Sequence, residues 1–433
     1  AGENDNLTAY DGRHGANLSF VVKCKLRHCN RGALRQGTLW LEIYSDGADL
    51  DARCHMAQAS QQTTRIITEI PQFDQREQQH TKAAVGALGE KVQKRWTSES
   101  VDPFRRVFYP ENRPFNSPLR SLLAVADGPL NPKKVPVKDP AMMAAHIKEV
   151  AKFFGAHLVG VCALEPHHVY SHRGLRIDAR KGRWGEPIEL SHKHAISIGH
   201  EMNYERLRYS PSFIDGAEVG YGYLQSAVIA TSLACYIREL GYPAMAHFHV
   251  SERVIHVPIA VKAGLGELAR NNCLITKQFG PRLRLATVTT DLPLAFDSPI
   301  DIGVQSLCEQ CNKCAALCPS QSIPKGPKQV ERGYSHWVVN NDTCIGYWTA
   351  NPEKWNDCAR CITVCPWNKP NKWWLHLATR LVPKGRLFRK ALLWIDNLIW
   401  DKKFHLKGGK GWLMYKRSTA AKQFESGQIH PNA

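Results

Sequence analysis

The chain lacks most of the signatures that assign a cofactor at sight. No Gly-x-Gly-x-x-Gly turn stands between a strand and a helix, and no phosphate loop ends in Gly-Lys-Ser/Thr, so flavin or nicotinamide is not indicated. No apolar run approaches the roughly 20 residues of a bilayer-spanning helix, and the expectation is a soluble or peripheral chain. No self-similarity appears at solenoid or propeller periods. The N-terminus has no initiator Met and no basic-plus-apolar leader, and Arg105–Arg106 lies too deep for an export signal; this reads as a mature form or a fragment. Acidic residues are few, 39 against 57 Lys and Arg. The resulting charge of +18 suits nucleic acid, an anionic membrane, a negative redox partner or simply a solvated basic tail.

Cysteine, by contrast, is plentiful, with 14 in 433 residues, a length for two or three domains. Six (Cys24, Cys29, Cys54, Cys162, Cys235 and Cys273) are scattered. Eight fall into two compact runs, which metal ligation explains better than a disulfide framework. Cys308-x2-Cys311-x2-Cys314-x3-Cys318-Pro319 has the spacing of bacterial two-cluster ferredoxins. Cys358-x2-Cys361-x3-Cys365-Pro366 repeats its tail, with Cys344 displaced upstream by an insertion.

In that wiring three close thiolates hold one [4Fe–4S] cubane and the fourth reaches across to the other. Cluster one is therefore expected on Cys308, Cys311, Cys314 and Cys365. Cluster two is expected on Cys318, Cys344, Cys358 and Cys361. Zinc knuckles are the alternative, but the x2, x2, x3 rhythm and the Pro after each last Cys are specific to cubanes. Two adjacent cubanes relay single electrons, and a relay requires a destination.

Residues 1–60 have no sustained period and remain unassigned. Residues 61–138 are polar and Pro-punctuated, as in an irregular wrapping unit. At Asp139-Pro140 an N-cap and first-turn proline open a helix that Gly155 ends. Leu158–Leu164, Ala195–Ile198 and Leu285–Thr289 read as strands, and Tyr223–Leu240 as a helix stopped by Gly241. This alternation argues an α/β (α+β) domain over 139–303, followed by a small metal-centred domain over 304–370 and a basic extension over 371–433. Within the extension, Leu387–Trp400 places apolar residues at near-helical spacing beside Arg389 and Lys390. That pattern suits an anionic membrane surface, a membrane anchor protein, or packing against the α/β domain.

The α/β region also carries dense glycines at Ala263–Glu267 and Gly280-Pro281-Arg282, which permit close approach of a large ligand or make ordinary turns. Taken with Pro258–Asn271 (PIAVKAGLGELARN), Phe279–Arg284 (FGPRLR), Thr290–Leu294 (TDLPL), both Cys runs and Cys365–Pro370 (CPWNKP), the chain resembles the corrinoid-dependent reductive dehalogenases over roughly residues 65–420. The resemblance implies a nitroreductase-like α/β domain holding a base-off cobalamin, followed by a two-[4Fe–4S] ferredoxin-like domain. It implies corrinoid contacts at Gly264, Leu265, Gly266 and Asp291. It also implies a tyrosine proton donor near the start of the long helix with an arginine beside it, positions that match Tyr223 and Arg282. Tyr221, two residues away, is the rival. The family's third polar residue, commonly Asn, falls on His249 by ungapped spacing, or on His247 if the register shifts.

The expected reaction replaces halogen by hydrogen on a small organohalide, with electrons from a low-potential or quinol-linked donor and the proton from Tyr223. The resemblance further implies an exported, membrane-associated respiratory enzyme on the outer face of the cytoplasmic membrane, with a small membrane anchor protein as a possible partner and no nucleic acid; a cytoplasmic location is the alternative. Epoxyqueuosine reductase shares cobalamin, two cubanes and the Ala-Gly-Leu-Gly element, and its tRNA substrate would suit the charge. Its proton donor is an Asp, where this chain has Gly220-Tyr221-Gly222-Tyr223. A polyferredoxin without a substrate of its own accounts for the cysteines but not for Tyr223 or Arg282.

Overall fold

A computed structural model describes residues 63–97, 113–208, 210–211, 213–350, 358–370 and 372–400. The unassigned segment 1–60 and the end of the basic extension lie outside them.

Ahead of the α/β domain the chain is more helical than its prolines suggest, with α1 (Gln79–Val85), α2 (Glu90–Thr97) and α3 (Arg113–Ser121). Helix α4 (Pro140–Phe153) starts as its sequence dictates, the Asp139 carboxylate accepting from the Ala141 and Met142 amides. Strand β1 (Leu158–Ala163), β2 (His194–Glu201), the 27-residue α5 (Phe213–Glu239), β3 (Ala244–His247), α6 (His256–Lys262), the short β4 (Glu267–Leu268) and β5 (Leu274–Ile275), and β6 (Leu283–Thr290) follow.

Strands β1, β2, β6 and β3 form one sheet in the order β1-β2-β6-β3, every pair antiparallel. The alternation of strands and helices thus builds an α+β sheet rather than a parallel one. Ile196, Ile198, Ala286 and Val288 share the main core with Ala227, Ala230, Leu233 and Ile237 of α5. Helix α6 covers the other face, and Gly160 makes that possible, because a Cβ there would stand 2.2 Å from the Ala263 carbonyl oxygen. Since both faces are buried, β6 carries a continuous buried run instead of alternating with solvent.

Helix α5 begins ten residues before the expected Tyr223 start. Within it Gly222 is a contact point: a Cβ there would meet Arg284 Cγ at 2.8 Å.

The cysteine module follows as α7 (Val304–Gln310), the hairpin β7 (Gln329–Glu331) and β8 (Tyr334–His336), and α8 (Asn341–Ala350). That hairpin is the insertion that separates Cys344 from Cys318, and it bridges back to Ile66. Helices α9 (Trp373–Thr379) and α10 (Arg386–Ile399) close the described chain. Leu392 and Leu393 of α10 pack on a cluster that joins Leu307, Cys365 and Trp367 of the cysteine module to Ala269 and Ile275 of the α/β domain, so the tail seats where the two meet. Among the described residues no helix is long and apolar enough to cross a membrane.

Candidate active site

The eight cysteines separate as their spacing predicts. Cys308, Cys311, Cys314 and Cys365 line one small void of about 20 Å³, walled by Leu307, Pro366 and Trp367. Cys318, Cys344, Cys358 and Cys361 line a second, larger cleft of about 260 Å³. The crossover of Cys318 and Cys365, inferred from sequence, is present in space.

The donor chemistry fits iron–sulfur clusters. Burial pushes the Cys308 thiol up to about 12 and raises Cys311, Cys314 and Cys365, so as plain thiols they hold their protons. Cys361 is raised first by its contact with Cys273 and then by burial. A metal must supply the charge that makes such sites thiolate. Cys318 runs the other way: burial raises it, but the Ser320 hydroxyl, 3.3 Å from its sulfur, and the amides of Ser320, Ser322 and Ile323 outweigh burial. Donors aimed at sulfur are also what tune a bound cluster.

The second cleft holds more than cysteine. Tyr223, His249, Arg284, Gln79 and His80 line it together with the second cysteine set. The Tyr223 and His249 rings stack, 4.4 Å between centroids with planes 24° apart, and the Arg284 guanidinium lies 4.7 Å from the Tyr223 ring centre. The positions around Tyr223 are settled by helix and strand geometry. Tyr221 is about 200° around α5 from Tyr223 and meets Phe115 and His200 instead. His247 sits inside the sheet, its Nε2 2.9 Å from Thr289 Oγ1, whereas His249 lies beyond the strand end and reaches the cleft.

The arginine beside Tyr223 is therefore Arg284 and not Arg282. The chain turns over Phe279–Pro281, with Leu283 N–H donating to Pro281 O, and strand pairing starts only at Leu283. Arg282 is turned away before the strand begins. It is 1% exposed, donating to Glu201 Oε1 at 2.9 Å, Asn368 Oδ1 at 3.2 Å and the Lys369 carbonyl at 2.8 Å. It ties the end of β2 to the loop after Cys365.

Gly264, Leu265, Gly266 and Asp291 do not line the Tyr223 cleft. The room left by the missing side chains is taken by this chain's own backbone: a Cβ on Gly264 would stand 2.4 Å from Ser298 O, and one on Gly266 2.1 Å from Ile275 O. Gly264 also has φ +73°, a turn that favours glycine. Leu265 is core, and Asp291 accepts from the Lys193 amide at 3.0 Å, joining the start of β2 to the end of β6.

What this motif does is hold the cysteine module in place, a role that its Gly-rich spacing hides. Glu267, buried, accepts from the Ile302 and Val304 amides at 2.7 and 3.0 Å and so caps the helix that carries Cys308. Arg270 donates to the carbonyls of Cys308 (2.8 Å), Cys311 (3.2 Å), Pro324 and Gly326 (2.9 Å each). Asn271 lines both voids and donates to Cys361 O at 3.3 Å.

Among the described residues, the sheet face under α6 holds polar atoms without protein partners. Ser197 and Thr287 are register neighbours, and His256 Nδ1 lies 2.8 Å from Thr287 Oγ1, leaving buried Ser197 Oγ and His256 Nε2 unpaired. Orphaned buried polar atoms of this kind fit a large group with a polar periphery, and His256 neighbours Glu252 and His249 at the cleft.

Fold and site together place two sets of four cysteines, the second of them lining a cleft on an α+β domain. The 4Fe-4S dicluster domain family matches residues 307–369. A tetrachloroethene reductive dehalogenase of Desulfitobacterium hafniense is 36% identical over 270 residues, 52% of this chain and 48% of that one. The solved structure of a catabolic reductive dehalogenase, NpRdhA, in complex with 3-bromo-4-hydroxybenzoic acid superposes with a TM-score of 0.72 at 28% identity, covering 80% of this chain and 49% of that one. An epoxyqueuosine reductase of Cyclobacterium marinum is 31% identical over 244 residues, 52% of this chain and 71% of that one. In sequence and in fold the chain is similar to reductive dehalogenases. It spans about half the length of the first curated relatives it matches.

Proposed function

We propose that the chain is the catalytic part of a corrinoid-dependent reductive dehalogenase that replaces halogen by hydrogen on a small organohalide. One observation carries the reading: Tyr223, a proton source, faces the cleft lined by the second cysteine set, an electron source. The overall change is R–X plus two electrons and a proton giving R–H and halide. A corrinoid, when bound, supplies the carbon–halogen cleavage. Ser197, His256 and the Tyr223 cleft would hold it.

The residues do the rest by position and charge. An ordinary phenol, with a pKa of about 10, is a reluctant acid, and a guanidinium beside it favours the phenolate left after proton transfer. Arg284 is placed for that role, and Gly222 gives its stem room against α5. Arg270 and Asn271 hold the cysteine loops at fixed reach of the cleft.

The setting belongs to the same proposal. Asp396 on the inner side of α10 is buried against Lys313 and Lys369, while Leu387, Trp394 and Leu398 stand more than half exposed on its outer side, as does Trp373 on α9. This apolar face beside a basic extension suits an anionic membrane surface or a small membrane protein. Flotation with vesicles of anionic but not neutral lipid is the expected result, and no flotation with either would remove this part.

The activity is tested by anaerobic reconstitution with iron, sulfide and corrinoid to about eight iron and one cobalt per chain. Reduced viologen and chlorinated ethenes, chlorophenols or bromophenols are then supplied and halide release is followed. Loaded protein that releases halide from none of them would overturn the proposal.

A further inference from the structure

Beside Tyr223 the backbone adopts a conformation that its sequence disfavours. In the turn Phe248–Glu252, between β3 and α6, Val250 has φ +76°, a left-handed conformation that a β-branched residue rarely adopts. Two contacts hold the turn. Ser251 N–H donates to Phe248 O at 2.7 Å. Gln75, fully buried, donates from Nε2 to Glu252 O at 2.8 Å while its Oε1 accepts from the Gly174 amide at 2.9 Å.

The strained turn presents two side chains to each other and to Tyr223. His249 lies flat on the phenol, and Glu252 Oε1 lies 3.5 Å from His249 Nδ1. Burial alone would push the Glu252 carboxyl up, but His249 beside it, with His256 and His80 nearby, brings it below the usual range. His80 of α1 faces the same ring edge-on at 6.3 Å, and burial holds its own pKa down to about 4.

We propose that Glu252 is a positioning residue of the Tyr223 site: its carboxylate fixes His249 in the Nδ1–H tautomer and keeps the imidazole flat against the phenol. A neutral imidazole without such an anchor exchanges tautomers and flips its ring. Tyr223 would then lose the ring that lies flat against it, and a small misplacement of a reacting group is costly in rate. The kinetic consequence rests on the dehalogenase reading, but the tautomer does not.

The test uses 15N-histidine spectra of the oxidised holoprotein, whose clusters are diamagnetic in that state, with the His249 signal assigned by its loss in His249→Asn. Steady-state kinetics are measured alongside on Glu252→Gln and Glu252→Ala. An Nδ1–H signal for His249 is expected in the parent and in Glu252→Gln, whose amide oxygen accepts the same bond, with kcat within about threefold. Glu252→Ala should lose the tautomer preference and about 10- to 100-fold in kcat, with KM within about twofold and iron content unchanged. An unchanged tautomer in Glu252→Ala, or Glu252→Gln falling as far as Glu252→Ala, overturns the assignment. If no variant and no parent releases halide, the dehalogenase reading fails while the spectra still decide the role of Glu252.

Discussion

The two cysteine sets are alike in ligand count and opposite in surroundings. The first closes on a void of about 20 Å³, with Arg270 clamping its carbonyls and α10 packed behind it. The second opens into a cleft of about 260 Å³ shared with Tyr223, His249 and Arg284. A sealed site suits passage of electrons and an open one suits their delivery to chemistry, so on the proposed reading the asymmetry would give the relay a direction.

The sharpest way to break that comparison is to remove one ligand from each set. Cys361→Ser should abolish turnover, a loss of at least about 10³-fold, with any reductant. Cys308→Ser should lose far less, about 10-fold, when a small low-potential reductant is used that enters the cleft directly. Equal losses, measured as halide release, would erase the direction. Tyr223→Phe comes next and should lower kcat by about 10²- to 10⁴-fold with both clusters intact by iron content.

The two arginines of FGPRLR should part company. Arg284→Gln should reduce kcat by about 10²-fold at unchanged melting temperature. Arg282→Gln should spare kcat but cost about 2–4 kcal/mol of stability, because Glu201, Asn368 and the Lys369 carbonyl lose a buried partner. Thermal melts and rates on both variants decide it.

The smallest effect concerns pH. His80 and His168 are held neutral, down to about 4 and about 3, chiefly by burial. Below the ordinary histidine value of about 6.5 the unfolded chain binds more protons than the folded one. The stability linked to each neutral ring is therefore full above about 6.5 and is lost as pH falls toward the folded value, at about 1.4 kcal/mol per pH unit per group. Melting temperature should fall over that window, and His80→Gln should flatten the slope.

How much of this was legible in the sequence differs from element to element. The cysteine wiring was readable because ligand spacing is local and metal geometry is strict. The strands were readable because a sheet buried on both faces leaves continuous apolar runs. Arg284 was missed because the turn over Phe279–Pro281 decides which of two arginines joins the strand, and that turn is set by tertiary packing. Gly264 and Gly266, expected at a corrinoid, meet this chain's own backbone, because a glycine shows that something comes close, not whether it is ligand or backbone. Glu252 and His80 carried no signal, since their partners lie in a strained turn and in a helix about 170 residues apart in sequence.

That separation divides the cleft between distant parts of the chain. One wall comes from Gln79 and His80 on α1 and from Tyr347 and Trp348 on α8, joined by the Lys82–Asp342 ion pair. Neither helix belongs to the sheet, and replacing this wall would recut the cleft while the sheet and Tyr223 stay as they are. On the proposed reading, a change of substrate range would then need no change in the chemistry.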